Sequence, residues 1–224
     1  MTKLLLFDID GTLLRAYGAG SRAMMHAALE VLGERCLGAK INLGGALDPW
    51  IFRELARHGG YEAHDAAHRA FRERYAQRLA HELDMADVPC RAMPGVLELL
   101  ASLREQRSAT LGMLTGNYPE TGRHKLRRAG IDPEWFSPIA WGDAAADRPA
   151  LVRVALAASK QHTAADVIVI GDTPRDVHCA RENGAVCLAV ATGDHGEDEL
   201  RAAGAHEVVP DLRDPSALYR LLSR

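Results

Sequence analysis

The sequence predicts an α/β fold: a doubly wound parallel sheet with an all-helical segment inserted after its first strand. Three observations predict it. Short apolar runs of strand length recur along the chain, helical patterns lie between most of them, and one long stretch contains helical patterns alone. Strands that alternate with helices are typical of a parallel sheet covered on both faces.

The predicted strands are short runs that are apolar throughout, which suits strands buried on both faces. The strong candidates are residues 3–7, 110–114, 166–170 and 185–190, and the weaker ones are 138–141 and 207–209. Between these runs, apolar side chains recur at helical spacing, as in the stripe formed by Val96, Leu99, Leu100 and Leu103. Gly130 and Gly184 are predicted to end two of these helices.

The stretch from about residue 15 to residue 91 has three helical patterns and no convincing strand. A stripe of small and apolar side chains over residues 23–32 predicts the first helix. Asp48 is predicted to cap the second, with Pro49 in its first position. Apolar side chains around Phe71 mark the third.

We therefore expect two domains, a core of residues 1–14 and 91–224 and a helical cap of residues 15–90.

Composition and charge exclude several classes of protein. The chain has 224 residues, of which 47% are hydrophobic and 25% charged, and a net charge of −3. These values are typical of a globular protein and give no reason to expect binding to nucleic acid or to a membrane. The four cysteines are widely spaced and are expected to be free thiols in a reducing cytoplasm. The apolar run at the N-terminus is too short for a signal peptide, so we expect a cytoplasmic protein.

Polar residues follow three of the predicted strands. Asp8 and Asp10 follow the first, residues 115–117 (Thr-Gly-Asn) follow the second, and Asp172 and Asp176 follow the fourth. Ligands of open α/β sheets bind at the carboxyl ends of the strands, where these residues are expected to converge. Any one Asp can simply end a strand, but the ordered set favours a site.

The residue types in this set favour a magnesium-dependent reaction of a phosphate group. Clustered carboxylates repel one another unless a cation joins them. Oxygen ligands without His or Cys favour Mg²⁺, whose coordination is completed by water and substrate phosphate. The Thr115 hydroxyl and the amides near Gly116 are candidates to bind phosphoryl oxygens, and Arg148 is a candidate to neutralise charge.

Two motifs resemble those of the haloacid dehalogenase superfamily: Asp-x-Asp-Gly-Thr-Leu at Asp8 and Gly-Asp-x-x-x-Asp at Gly171. The resemblance covers essentially the whole chain and is to phosphoglycolate-phosphatase-like enzymes, which have a Rossmann-like core and a helical cap. It implies that Asp8 is the nucleophile that becomes an aspartyl-phosphate, and that Asp10 is general acid and then general base. It also implies that the Asp8 carboxylate, the Asp10 carbonyl and Asp172 bind Mg²⁺, with Asp176 ordering metal ligands or waters.

The sequence departs from this family at three places. Arg148 stands where the superfamily often has Lys, and Thr115-Gly116-Asn117 replaces Ser or Thr followed directly by Asn. Residues 44–48 resemble a substrate loop of a bacterial subgroup, with Leu where Thr is usual. By this resemblance the substrate-binding candidates are Thr115, Gly116, Asn117, Arg22, Gly45 and Asp48.

Three further features are interpreted as structural. His64 and His68 are expected on a solvated helix face. The basic run from Arg123 to Arg128 is expected on the outer face of a helix. Trp50 is expected to pack in a core or an interface.

The predicted function is Mg²⁺-dependent hydrolysis of a small phosphate ester, either phosphoglycolate-like or a sugar phosphate. The acid at Asp10 favours ester hydrolysis over dehalogenation. Alternatives are a sugar phosphomutase, a pyrophosphatase, a phospho-accepting receiver module and a catalytically inactive binding protein. The sequence determines neither the substrate nor the oligomeric state.

Overall fold

The computed structural model describes residues 2–85 and 89–223. Residues 1, 86–88 and 224, which belong to the predicted domain ranges, lie outside the described residues. The strands are β1 (Lys3–Phe7), β2 (Leu14–Arg15), β3 (Arg91–Ala92), β4 (Ala109–Leu114), β5 (Ile139–Ala140), β6 (Val167–Gly171), β7 (Val186–Val190) and β8 (Glu207–Val209). Six of them form a parallel sheet in the order β5-β4-β1-β6-β7-β8. The predicted α/β fold is confirmed.

Helices cover both faces of this sheet. They are α1 (Ala19–Leu32), α2 (Asp48–Gly59), α3 (Asp65–Asp84), α4 (Val96–Gln106), α5 (Pro119–Arg128), α6 (Arg148–Ser159), α7 (Pro174–Glu182), α8 (Glu197–Ala202) and α9 (Ser216–Leu222). Successive side chains of a strand point to opposite faces. Accordingly, Leu5 and Phe7 of β1 belong to one hydrophobic cluster and Leu4 and Leu6 to another. The apolar runs are therefore buried on both faces.

The predicted helical stretch forms α1, α2 and α3, and we call these three helices and their connections the helical insertion. Small residues on α1 allow α3 to pack closely against it. The buried stripes are Ala23, Met24, Ala27, Ala28 and Leu32 on α1, and Phe71, Tyr75, Leu79 and Leu83 on α3. Most of the predicted apolar positions of the insertion are thus buried, as expected.

Two local predictions about this stretch are wrong. Strands β2 and β3 pair antiparallel at its two ends, Leu14 with Ala92 and Arg15 with Arg91. Two residues are too few to show alternation, so the pattern did not reveal them. Asp48 also does not cap α2: residue Leu47 precedes the helix, and no side chain caps it.

No helix within the described residues is long and apolar enough to cross a membrane.

Candidate active site

The residues predicted at the strand ends meet at the carboxyl edge of the sheet. Asp8 follows β1, Thr115 follows β4 and Asp172 follows β6, and β1 lies between the other two strands. Carboxylate oxygens of Asp8, Asp172 and Asp176 lie within 4.8 Å of one another, and all three residues are buried. The predicted convergence of these carboxylates is present.

Burial makes two of these carboxyl groups harder to ionise. Desolvation raises the pKa of Asp8 to about 6, although the positive charge of Arg148 opposes the shift. Desolvation, followed by the charges of Asp176 and Asp8, raises the pKa of Asp172 to about 8. A cation placed between these groups would favour their ionised forms.

Gly11 and Thr12 of the first motif both lie against the carboxylate of Asp172, which explains why these residue types stand there. The Thr12 hydroxyl donates a hydrogen bond to Oδ1 of Asp172 over 2.9 Å. A Cβ on Gly11 would lie 2.3 Å from Oδ2 of Asp172, and a Cβ on Gly193 would lie 1.8 Å from the same atom. Any side chain at either glycine would therefore displace this carboxylate.

Arg148 begins α6 and is the cation of the carboxylate cluster. Its Nη2 lies 3.2 Å from Oδ2 of Asp8 and 2.5 Å from Oδ1 of Asp176. Its Nη1 donates to the carbonyl oxygen of Gly45 over 3.1 Å. Arg148 thus joins the strand-end carboxylates to a loop of the helical insertion.

Asp176 has both carboxylate oxygens engaged by protein groups. Oδ1 accepts from Arg148, and Oδ2 accepts from the amide and the hydroxyl of Thr173 over 3.1 and 2.6 Å. The residue is fully buried at the start of α7. These contacts suit Asp176 to orient Arg148.

Asn117 connects the ends of β1 and β4. Its Nδ2 donates to Oγ1 of Thr115 and to Oδ2 of Asp10, each over 2.8 Å. Its amide also donates to Oγ1 of Thr115, over 3.3 Å. Thr115 is fully buried and uses its oxygen as the acceptor in both bonds. The hydroxyl of Thr115 and the carboxylate of Asp10 therefore belong to one hydrogen-bonded chain.

Lys125 completes this chain, and sequence reasoning missed it. Its Nζ donates to both carboxylate oxygens of Asp10, over 2.9 and 2.8 Å, and to Oδ1 of Asn117 over 2.7 Å. Burial alone would lower the pKa of Lys125, but the nearby charges of Asp10 and Asp48 outweigh it and raise the pKa above its ordinary value. Lys125 is therefore a buried ammonium group.

The prediction that residues 123–128 lie on an outer helix face is wrong at Lys125. Arg127 and Arg128 are exposed, whereas Lys125 is 4% exposed. Lys125 shares a buried face of α5 with Thr121 and Gly122, four and three residues earlier. Neither of these residues is a large apolar side chain that would mark the face in the sequence, so the pattern gave no signal for Lys125.

The loop before α2 lies against the loop after β4. The amide of Asp48 donates to the carbonyl oxygen of Gly116 over 2.8 Å. A Cβ on Gly116 would lie 1.9 Å from the carbonyl oxygen of Ala46. Gly45 lines the same cavity as Gly116. The structure thus brings the predicted candidates Gly45, Asp48 and Gly116 together.

Asp48 is a buried carboxyl group of the helical insertion. Its Oδ2 accepts from the amide of Tyr118 over 2.9 Å. Desolvation raises its pKa to about 7, against the opposing charge of Lys125. Because its side chain reaches across to the core in this way, it is not available to cap its own helix.

Arg22 is not brought to the site. Its Nε pairs with Oε2 of Glu82 over 2.9 Å, and it is absent from the described lining of the cavity beside Asp8. Arg53, an exposed arginine of α2, also lies outside that lining.

His64 and His68 do not share a solvated face. His64 caps α3 by accepting from the amide of Ala67, whereas His68 is half-buried, stacks on Phe52 and lies 2.6 Å from the Tyr118 hydroxyl. The prediction for His68 is therefore wrong. Trp50 is partly buried against both hydrophobic clusters, which confirms its packing role.

The donor set fits a hard divalent cation. The buried cluster offers only carboxylate oxygens, the ligands that Mg²⁺ prefers. A cavity of about 440 Å³ adjoins it, lined by core residues such as Asp8, Asp10 and Asp172 and by the helical insertion. Space for a small ligand is therefore present beside the carboxylates.

The chain matches the model of the family described as haloacid dehalogenase-like hydrolase over residues 5–190. It is 29% identical over 226 residues to the phosphoglycolate phosphatase of Synechococcus elongatus, with 98% of this chain and 97% of the relative covered. Among solved structures it is similar to a hydrolase from Pseudomonas syringae (TM-score 0.73, 24% identity, 98% of each chain). It is also similar to β-phosphoglucomutase from Clostridium difficile (TM-score 0.75, 15% identity, 100% and 98% of the two chains). With the family model matched over most of its length, the chain belongs to the haloacid dehalogenase-like hydrolases.

Proposed function

We propose that this protein is a Mg²⁺-dependent phosphatase that hydrolyses a small phosphate monoester through an aspartyl-phosphate on Asp8. The observation that carries the proposal is the pairing of Asp8 with Arg148 beside Asp172, in the lining of a cavity. The relative from Synechococcus elongatus, named a phosphoglycolate phosphatase, supports the reaction class.

Asp8 is the proposed nucleophile. Its carboxylate attacks the phosphorus atom, the bond to the leaving oxygen breaks, and the phosphoryl group becomes bonded to Asp8. An anionic nucleophile can approach an anionic phosphate only if positive charge offsets the repulsion. Arg148, 3.2 Å from Asp8, supplies part of that charge.

Asp10 is the proposed general acid and base. In the first step it gives its proton to the leaving oxygen, and in the second it takes a proton from the water that hydrolyses the aspartyl-phosphate. Lys125 and Asn117 hold its carboxylate between them. These contacts support a defined position for the group between its two proton transfers.

Thr115, Gly116 and Asn117 are the proposed ligands of the phosphoryl oxygens. They follow β4, next to Asp8 at the end of β1. A hydroxyl and backbone amides placed at a strand end can stabilise charge that develops on these oxygens.

Asp8, Asp172 and the carbonyl of Asp10 are the residues that would hold Mg²⁺, and Asp176 would order the site through Arg148 and Thr173. When bound, the ion neutralises phosphoryl charge and favours the ionised carboxylates. The raised pKa values of Asp8 and Asp172 fit groups whose charged forms need a cation.

We also propose the division into a core of residues 1–14 and 91–224 and a cap of residues 15–90. The contact between Asp48 and the loop at Gly116 supports a cap that closes over the site and excludes bulk water.

The test is phosphate release from a panel of phosphate esters and pyrophosphate, with and without Mg²⁺. We expect Mg²⁺-dependent release from a monoester. Interconversion of sugar phosphate isomers without net release would instead identify a mutase, and a stable phosphoprotein without turnover would favour the receiver alternative.

A further inference from the structure

The helical insertion presents uncharged side chains to the cavity beside Asp8. Within the described residues, these come from the segment before α1, from the loop before α2, and from α1, α2 and α3. They are Ala16, Tyr17, Ser21, Met24, Leu43, Ala46, Ile51 and Tyr75. A leaving group that extends away from the phosphate would therefore meet apolar surface and hydroxyl groups.

Three cationic side chains line the described cavity, and protein groups already bind each of them. Arg148 is shared among Asp8, Asp176 and the carbonyl of Gly45. Lys125 has three N–H donors, and all three are used by Asp10 and Asn117. Lys125 therefore has no donor left, and the charge of Arg148 is already shared by two carboxylates.

The third cation, Arg15, lies near its own counter-ion. Its Nη2 donates to the carbonyl of Thr192 over 3.0 Å and lies 3.7 Å from Oδ1 of Asp194, which also lines the cavity. Two other arginines of the insertion, Arg22 and Arg53, are not part of the described lining.

Besides Arg15, the ionisable side chain that the described part of the insertion presents to the cavity is the carboxyl of Asp48. It is 6% exposed, so water screens it poorly. A carboxylate or a second phosphate on the leaving group would lose hydration beside Asp48. Each cation of the described lining is already paired with a carboxylate, so the added charge would be poorly compensated, which is unfavourable.

From this lining we infer that the preferred leaving group is an uncharged alcohol, so that the phosphoryl group is the substrate's sole anionic part. The inference rests on the proposed phosphatase function. It separates this chain from an enzyme specific for phosphoglycolate, whose leaving group carries a carboxylate.

The experiment compares two esters that differ in one group, with the full chain and Mg²⁺. Glycerol 3-phosphate carries a hydroxymethyl group where 3-phosphoglycerate carries a carboxylate. We expect kcat/KM to be at least about 10-fold higher for glycerol 3-phosphate. Equal values, or a preference for 3-phosphoglycerate, would overturn the inference while leaving the phosphatase function intact. Absence of Mg²⁺-dependent release from these esters, from sugar phosphates and from p-nitrophenyl phosphate would overturn both.

A variant tests whether the charge of the cavity lining causes this preference between the two esters. Ser21 lines the cavity and is itself exposed, so Ser21→Lys adds a cation with little strain. We expect this change to shift the ratio of kcat/KM values about 5-fold toward 3-phosphoglycerate, as an exposed ion pair would. Ser21→Gln is the matched neutral control and should leave the ratio unchanged. An equal shift in both variants would show that charge is not the cause and would contradict the inference.

Discussion

The ammonium nitrogen of Lys125 lies 2.9 and 2.8 Å from the two carboxylate oxygens of Asp10. One partner is on α5 and the other follows β1, so the contact joins two elements that are distant in the sequence. Because Asn117 binds both residues as well, the position of the Asp10 carboxylate is determined from two sides.

Lys125→Met should lower kcat by about 10- to 100-fold and change KM by less than about 3-fold, because Asp10 would lose the group that positions it for proton transfer. Steady-state kinetics with a hydrolysed ester measure both constants. Arg127→Met, an exposed position on the same helix, is the control and should behave like the wild type. A kcat that stays at the wild-type value would contradict the role of Lys125.

Asp8→Asn should reduce phosphate release by at least ~10³-fold, since an amide oxygen is a poor nucleophile and forms no aspartyl-phosphate. Circular dichroism should show a folded protein, because Asn nearly preserves the shape of Asp. Mass spectrometry after acid quench checks for the phosphorylated wild-type enzyme. Substantial activity in the folded variant would exclude Asp8 as the nucleophile.

Mg²⁺ should stabilise the protein more at about pH 8 than at about pH 5. Burial raises the pKa of Asp8 to about 6 and the pKa of Asp172 to about 8. The folded protein therefore holds more protons than the unfolded chain between about pH 4 and pH 8, and its free energy of unfolding falls as the pH rises. Mg²⁺ binds the ionised carboxylates and so offsets this loss mainly at the higher pH. The measurement is the increase in Tm on addition of Mg²⁺ at each pH, at constant ionic strength. An equal increase in Tm at both pH values would contradict the prediction.

Asp48→Asn should flatten the dependence of stability on pH. Burial raises the pKa of Asp48 to about 7, so the folded protein keeps a proton that the unfolded chain loses near pH 4. Between about pH 5 and pH 8, the free energy of unfolding should fall by roughly 1–3 kcal/mol more in the wild type than in the variant. The Asn side chain can still accept from the amide of Tyr118. Urea unfolding of both proteins without Mg²⁺ gives the two curves, which should diverge with rising pH; parallel curves would show that Asp48 ionises normally.

Gly116→Ala should open the contact between the helical insertion and the core. The added methyl group would lie 1.9 Å from the carbonyl oxygen of Ala46, so the loop before α2 must move away. We expect lower kcat/KM and faster proteolysis of that loop. Gly196→Ala is the matched control, because a Cβ there meets no atom within 4 Å and its φ is an ordinary −77°. If both variants keep wild-type activity, close contact at Gly116 is not required.

Features determined by local sequence were predictable. A strand that is buried on both faces is a continuous apolar run in the sequence. In a parallel sheet, the residues that follow β1, β4 and β6 must lie at the same edge. For this reason Asp8 and Asp172 could be predicted to lie close together, although they are 164 positions apart in the sequence.

Features determined by long-range pairing were not predictable. Lys125 is one of several basic residues of α5, and nothing in the sequence distinguishes it from the others. Only its contact with Asp10 gives a reason for its burial. His68 is half-buried and contacts the hydroxyl of Tyr118. Arg22 binds Glu82, which is sixty positions away in the sequence. In each case the partner lies on a different element, and single-sequence patterns contain no information on that choice.

The short pair β2–β3 has a consequence for how the chain folds. Pairing β1 with β4 requires the closure of a loop of about 100 residues, which is entropically costly. Pairing Leu14 with Ala92 closes about 80 residues of the same loop. The two pairings therefore share one entropic cost, because whichever forms first leaves only a short loop for the other to close.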